Sequence, residues 1–118
     1  MKGIARSILL LVFLLSASVA YAHPPSDIII SYVTYDSSAK TITAVIKHEV
    51  SNPEKHYIKK VDISLNGKEI ATLKFTKQDN YLTQTVTYAL EGVMPGDRIS
   101  VEAYCSISGK LEKEIKVE

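Results

Sequence analysis

The side chains best suited to metal chemistry in this sequence are three histidines and one cysteine: His23, His48, His56 and Cys105. An imidazole offers a lone pair to a metal ion while its second nitrogen is oriented by a hydrogen-bond partner. A cysteine thiolate is a softer ligand, and a mixed set of imidazole and thiolate suits iron, copper or zinc. These four residues are therefore the candidate metal ligands.

Each candidate also has a purely structural interpretation. His23 could be a solvated chain end, and His48, on the apolar face of a predicted strand, could be a buried histidine bonded to the backbone. His56 is out of phase with the apolar positions after it, so it faces solvent unless a β-bulge near 59–60 redirects it. Cys105 could be a small buried hydrophobic residue. Convergence of all four at one end of the fold would favour the metal interpretation.

The first 22 residues have the three parts of a secretory signal peptide. The basic residues Lys2 and Arg6 precede an apolar run over 8–20, and Ala-Tyr-Ala at 20–22 fits the pattern before a cleavage site. The run is short for a transmembrane helix, which needs about 20 apolar residues. We therefore expect an exported protein, periplasmic or extracellular, that is one domain over 23–118 and leaves the membrane after cleavage. An uncleaved N-terminal anchor is the alternative.

The composition of the mature chain limits the classes of partner it can bind and the roles that its cysteine can have. Loss of Lys2 and Arg6 leaves 12 basic against 13 acidic residues, a formal net charge of −1. This near-neutral surface predicts no binding of nucleic acid or of anionic membranes. Cys105 has no second cysteine with which to form an internal disulfide. In an exported chain it is therefore a free thiol, an intermolecular bridge or a metal ligand.

Apolar and polar residues alternate through most of the mature chain, which is the period of β-strands. Turn residues separate the alternating runs, and Asn66-Gly67 predicts a type I′ hairpin. Seven short strands without a helical stripe predict an all-β, immunoglobulin-like seven-stranded sandwich or barrel. The predicted strands are 27–35, 41–50, 57–65, 68–76, 81–90, 98–107 and 111–118.

The same alternation predicts which side chains point inward. In the fifth predicted strand, Leu82 shares a face with Val86. In the sixth, Ile107 shares a face with Cys105 and Ala103. With no tryptophan and one phenylalanine after residue 22, the core must consist of isoleucine, valine, leucine and tyrosine.

Two segments of the chain resemble the iron domain of the desulfoferrodoxin and superoxide reductase family: HEVSNPEKHYI at 48–58 and AYCSISG at 103–109. The resemblance covers essentially all of the mature chain, and the two segments occur in the expected order. It implies an immunoglobulin-like seven-stranded barrel. It also implies a ferrous ion held by four histidine nitrogens and one cysteine sulfur, with an open position opposite the sulfur where superoxide is reduced.

The family's ligands can be carried over position by position. His56 and Cys105 match family ligands well, and His48 matches a third with a spacing two residues longer than usual. His23 lies about where the earliest ligand histidine of the family falls. Ser108 stands at the place of the last ligand histidine, so the resemblance implies three histidines and a cysteine, completed by water or by the His23 amine.

Three functions follow as hypotheses. The first is an exported superoxide reductase-like iron protein that takes superoxide as substrate and electrons from an unknown donor. The second is a non-catalytic copper- or iron-binding protein that uses His23, its terminal amine, His48 and His56. The third is a metal-free adhesion or assembly module, because β-sandwiches host many unrelated functions.

Overall fold

The computed structural model describes residues 23–36 and 38–118, so the predicted signal peptide lies outside the described residues. Within these ranges no helix is long and apolar enough to cross a membrane. The prediction of an all-β fold with seven strands is confirmed. The strands are β1 (Asp27–Thr34), β2 (Lys40–Lys47), β3 (Ile58–Leu65), β4 (Lys68–Lys74), β5 (Thr83–Leu90), β6 (Arg98–Cys105) and β7 (Lys110–Lys116).

The strands form two antiparallel sheets. One sheet has the order β1-β2-β5 and the other the order β4-β3-β6-β7. Three hairpins connect neighbours in the same sheet, whereas the connections β2–β3, β4–β5 and β5–β6 pass from one sheet to the other. This alternation between sheets is typical of an immunoglobulin-like sandwich.

The register of the strands determines which strand ends lie together. Asp27 at the start of β1 pairs with Lys47 at the end of β2, and Lys47 also pairs with Thr83 at the start of β5. In the other sheet, Ile58 at the start of β3 pairs with Cys105 at the end of β6. We name this end of the sandwich the pole. The segments that precede β1, β3 and β5 and those that follow β2 and β6 all meet there.

Aliphatic side chains fill the space between the sheets. In β2 the buried residues Ile42, Ala44 and Ile46 alternate with half-buried ones, as the sequence predicts. Each fully buried isoleucine or valine contributes about 1.5–3 kcal/mol of transfer free energy. The aromatic residues Tyr32 and Tyr88 are only partly buried and pack against the edge of this core.

The type I′ hairpin predicted from the sequence is present, and so is the β-bulge that the sequence left open as the alternative to a solvent-facing His56. Asn66 and Gly67 have φ values of 52° and 81°, as the type I′ hairpin between β3 and β4 requires. The register between β3 and β6 shifts between Ile58 and Lys60. Because of this bulge, Ile58 and Val61 are both buried although three positions separate them.

Two inward-facing predictions are wrong because β5 begins later and β6 ends earlier than predicted. Leu82 is 58% exposed and Ile107 is 53% exposed, and both lie outside their strands. The Asn80 side chain accepts a hydrogen bond from the backbone N–H of Leu82, and this bond closes a turn before β5. After β6, the N–H of Cys105 donates to the carbonyl of Gly109 and closes another turn. The period of two does not continue through either turn.

Candidate metal centre

Three imidazole rings meet at the pole. His23 precedes β1, His48 follows β2 and His56 precedes β3. The ring centroids of His23 and His48 are 4.7 Å apart, those of His23 and His56 are 5.1 Å apart, and those of His48 and His56 are 4.8 Å apart. One ring nitrogen from each histidine lies within 4.8 Å of the others. The structure therefore places three nitrogen donors in one cluster.

Cys105 adds a sulfur to this cluster. It is the last residue of β6, its side chain is buried, and its Sγ lies 3.2 Å from His56 Nε2. The backbone N–H of Ile107 donates to the same sulfur over 3.4 Å. This hydrogen bond and the contact with His56 fix the position of the sulfur in the cluster.

The surroundings of His56 favour its neutral form. Its side chain is buried, in agreement with the bulge interpretation and not with a surface histidine. Burial lowers the pKa of His56 below its usual value, and the charges of His48 and His23 lower this pKa further. A neutral imidazole keeps the lone pair that a metal ion needs.

The His23 segment is ordered against the rest of the pole. The ring of His23 is half-buried, with Nδ1 at 3.0 Å from the carbonyl oxygen of Pro24 and Nε2 at 3.0 Å from that of Glu49. Pro24 packs on Gly109, where an added Cβ would approach the Pro24 nitrogen to 2.8 Å. The interpretation of His23 as a solvated chain end is therefore wrong.

Gln78, in the connection between β4 and β5, contacts His48 and was not predicted from the sequence. Gln78 and His48 are both buried, and His48 Nδ1 lies 2.9 Å from Gln78 Oε1. The amide nitrogen of Gln78 donates to the carbonyls of His48 and Asn80. A polar residue before a strand is a weak signal, and only the pairing of β5 with β2 brings Gln78 to the pole.

Ser108 differs from the other candidate positions. Its side chain is exposed in the turn between β6 and β7. The described side chains that converge at the pole are therefore the three imidazoles and the Cys105 thiol, without a fourth histidine.

The three rings are spaced as imidazoles around one metal ion would be, although their nitrogens, which lie within 4.8 Å of one another, would have to draw closer to bind it. Imidazoles that bind an ion through nitrogens about 2.1 Å away, at bond angles of about 90–110°, have ring centroids about 4.6–5.3 Å apart. The observed separations run from 4.7 to 5.1 Å. A nitrogen and a sulfur on the same ion lie about 3.1–3.6 Å apart, and the distance from His56 Nε2 to Cys105 Sγ is 3.2 Å. This donor set could hold iron, copper or zinc.

No protein-family model and no curated protein sequence matches this chain. Two solved structures, both variants of the superoxide reductase (neelaredoxin) from Ignicoccus hospitalis, match its fold. The first has a TM-score of 0.53 and 19% identity, and the match covers 87% of this chain and 86% of that chain. The second has a TM-score of 0.53 and 18% identity, with 88% and 87% covered. At this distance, the similarity shows that the chain has a superoxide reductase-like fold.

Proposed function

We propose that this protein binds one iron ion through His23, His48, His56 and Cys105 and reduces superoxide to hydrogen peroxide. The observation that carries the proposal is the convergence of three imidazoles and one thiol at the pole. The similarity of the fold to superoxide reductases supports the choice of reaction. Iron is the proposed metal because superoxide reduction needs a one-electron couple, which zinc lacks.

Bound iron would supply the electron: superoxide takes up one electron and two protons to give hydrogen peroxide, while ferrous iron becomes ferric. A donor of unknown identity returns the electron. The chain's own part is to hold the donors in place. Burial favours the neutral form of His56 by lowering its pKa, and the N–H of Ile107 holds the sulfur of Cys105.

The serine at position 108 reduces the number of side-chain ligands. The chain offers four, whereas the family it resembles uses five. We propose that water or the amine of His23 completes the site. This difference predicts a weaker preference for iron over other metals, because nitrogen donors contribute to metal selectivity.

We also propose that the protein acts after export. The sequence of residues 1–22 supports this location, and cleavage after Ala22 would make His23 the first residue of the mature chain. Peptide sequencing of the secreted product tests the cleavage site. A first residue other than His23 would remove the terminal amine from the site.

The deciding experiment is the metal content and visible spectrum of the cleaved protein, purified without oxygen from a host that exports it. We expect about one iron per chain and, after oxidation, a thiolate-to-iron absorption band that disappears in Cys105→Ser. Superoxide consumption should disappear with it. Ser108→Ala is the matched control, because this exposed residue lies outside the donor set and its variant should keep the band. Absence of stoichiometric metal after reconstitution would reject the proposal in favour of a metal-free module.

A copper-binding protein is the second candidate. It is favoured by the position of His23, whose ring lies in the cluster and whose amine would be free after cleavage. An amine and an imidazole from one residue can chelate copper together. Adding one residue before His23 should then weaken copper binding strongly, whereas a Cys105-dependent iron band should still form. Equal copper affinity in the extended protein would argue against this candidate.

A further inference from the structure

We propose that Gln78 is a positioning residue of this site: its side-chain amide fixes His48 with the proton on Nδ1, so that Nε2 is the metal-binding nitrogen. The tautomer is a property of the metal-free chain. Its consequence for metal binding rests on the proposed function. Of the four candidate ligands, Gln78 has hydrogen bonds with His48, and it would act on the metal through that ring.

The orientation of the Gln78 amide follows from its hydrogen bonds. Its nitrogen lies 2.7 Å from the carbonyl oxygen of His48 and 3.0 Å from that of Asn80. Both partners accept hydrogen bonds only, so the atom between them must be the NH₂ group. The amide oxygen is then the atom that faces His48 Nδ1 at 2.9 Å. Since this oxygen can only accept, Nδ1 carries the proton.

The opposite tautomer fits the surroundings less well. His48 Nε2 lies 3.2 Å from the carbonyl oxygen of His23, to which it could donate if it carried the proton. The lone pair of Nδ1 would then face the oxygen of Gln78, or the amide would turn and place that oxygen against two carbonyls. Either arrangement leaves buried acceptors without donors, which is costly. The Nδ1–H form keeps the hydrogen bond from Nδ1 to the Gln78 oxygen and the two from the Gln78 amide nitrogen. Its one unfavourable contact is the 3.2 Å approach of Nε2 to the His23 carbonyl, and Nε2 is the nitrogen that would bind a metal ion.

The backbone holds Gln78 firmly in place. Its N–H donates to the carbonyl of Pro53 over 2.9 Å. Further along the same connection, Leu82 accepts the N–H of His48 over 2.9 Å. The segment before β5 is thus bonded to both sides of the His48–Pro53 loop. Gln78 therefore has a defined position in the folded chain even without metal.

The first test reads the tautomer directly. Long-range ¹H–¹⁵N correlation spectra of the metal-free protein, recorded at about pH 8 where an ordinary histidine is neutral, distinguish protonated from unprotonated ring nitrogens. We expect His48 to carry its proton on Nδ1 and none on Nε2. A proton on Nε2, whether as the other tautomer or as the cation, would overturn the proposal.

Two variants test the role of the amide oxygen. Gln78→Leu removes the acceptor, and we expect loss of the Nδ1–H preference and a fall in Co²⁺ affinity of about 10–100-fold. Gln78→Glu retains an oxygen acceptor for Nδ1 and should retain the proton there, but its second oxygen would face the carbonyls of His48 and Asn80, so its stability should fall. Gln84→Leu is the matched control, because Gln84 is equally buried and bonds Asp79 and Thr85 but not His48. It should keep the tautomer and the Co²⁺ affinity even if stability falls.

The outcomes separate this proposal from the proposed function. If the wild-type protein binds no stoichiometric metal but His48 shows the Nδ1–H tautomer that Gln78→Leu abolishes, the metal proposal fails and the tautomer proposal stands. If metal binds and Gln78→Leu changes neither tautomer nor affinity, Gln78 has no positioning role. If Gln78→Leu does not fold, the wild-type and Gln78→Glu spectra still decide the question.

Discussion

His56 lies against the sulfur of Cys105 and the rings of His48 and His23, and its side chain is only 6% exposed. A proton on this ring would place a positive charge in a poorly solvated position. The same surroundings that make the ring a good ligand therefore make its protonation unfavourable for the folded state.

This lowered pKa predicts how the stability of the metal-free protein depends on pH. His56 has a usual pKa near 6.5 when unfolded and a lower pKa when folded. Between these two values the unfolded chain binds more protons, so the free energy of unfolding should fall as pH drops below about 6.5. Urea denaturation at a series of pH values measures this dependence of the free energy of unfolding on pH.

His56→Gln is the comparison for this pH prediction. In this variant the free energy of unfolding should no longer fall between about pH 6.5 and the more acidic pH range in which carboxylates titrate. Asp27, Asp36 and Asp97 have pKa values lowered below 3.8, so their stabilising contribution is lost only under more acidic conditions. A metal-free protein equally stable at pH 7 and pH 5 would contradict the prediction.

Among the structural elements, the turn after β6 has two roles at the pole. It holds Cys105 through the hydrogen bond from the N–H of Cys105 to Gly109, and it supports the His23 segment through the contact between Gly109 and Pro24. Gly109 has a φ of +93°, a conformation that other residues rarely adopt. The absence of a side chain at Gly109 is thus required twice, once by the backbone angle and once by the contact.

Replacement of this glycine should affect both stability and the metal site. We expect Gly109→Ala to lower the free energy of unfolding by about 1–3 kcal/mol from backbone strain, with an added cost from the contact with Pro24. Because Pro24 would have to move, His23 should be displaced and metal affinity should fall. Urea denaturation and Co²⁺ titration measure the two effects.

Gly92→Ala is the matched control for the turn. Gly92 also has a positive φ, of 71°, but an added Cβ there meets no atom within 4 Å. Gly92 follows the last residue of β5, at the opposite end of that strand from the pole. This variant should lose stability from strain alone and keep its metal affinity. Equal losses of affinity in the two variants would show that the contact with Pro24 is not important.

At the scale of the whole molecule, the candidate ligands come from both sheets. His23 and His48 flank strands of the β1-β2-β5 sheet, whereas His56 precedes β3 and Cys105 ends β6 in the opposite sheet. The donors meet only when the two sheets pack, so a bound metal would stabilise the folded chain relative to the unfolded chain.

This coupling predicts the effect of metal removal. At a free metal concentration 100 times the Kd, binding should add about 2.7 kcal/mol of stability, which raises the Tm of a domain of this size by about 10 °C or more. Addition of a chelator should reverse the shift. A variant with both His56→Ala and Cys105→Ser should show no shift with either. Identical Tm values of the wild-type protein in metal and in chelator would favour the metal-free module.

The sequence by itself determined the strands and the candidate ligands. Alternation with a period of two predicts which face of a strand is buried, and Asn66-Gly67 predicts a hairpin. Both predictions succeed because each pattern depends only on residues that are close together in the chain. The histidines and the cysteine could also be recognised from residue type and from their places near strand ends.

The tertiary structure decided what surrounds those ligands. The contact of Gln78 with His48 depends on the pairing of β5 with β2, and the contact of Gly109 with Pro24 depends on the packing of two distant turns. The exposure of Ile107 likewise depends on where hydrogen bonding ends β6. Such contacts join residues far apart in the chain. No local periodicity encodes them, and they exist only once the two sheets have packed.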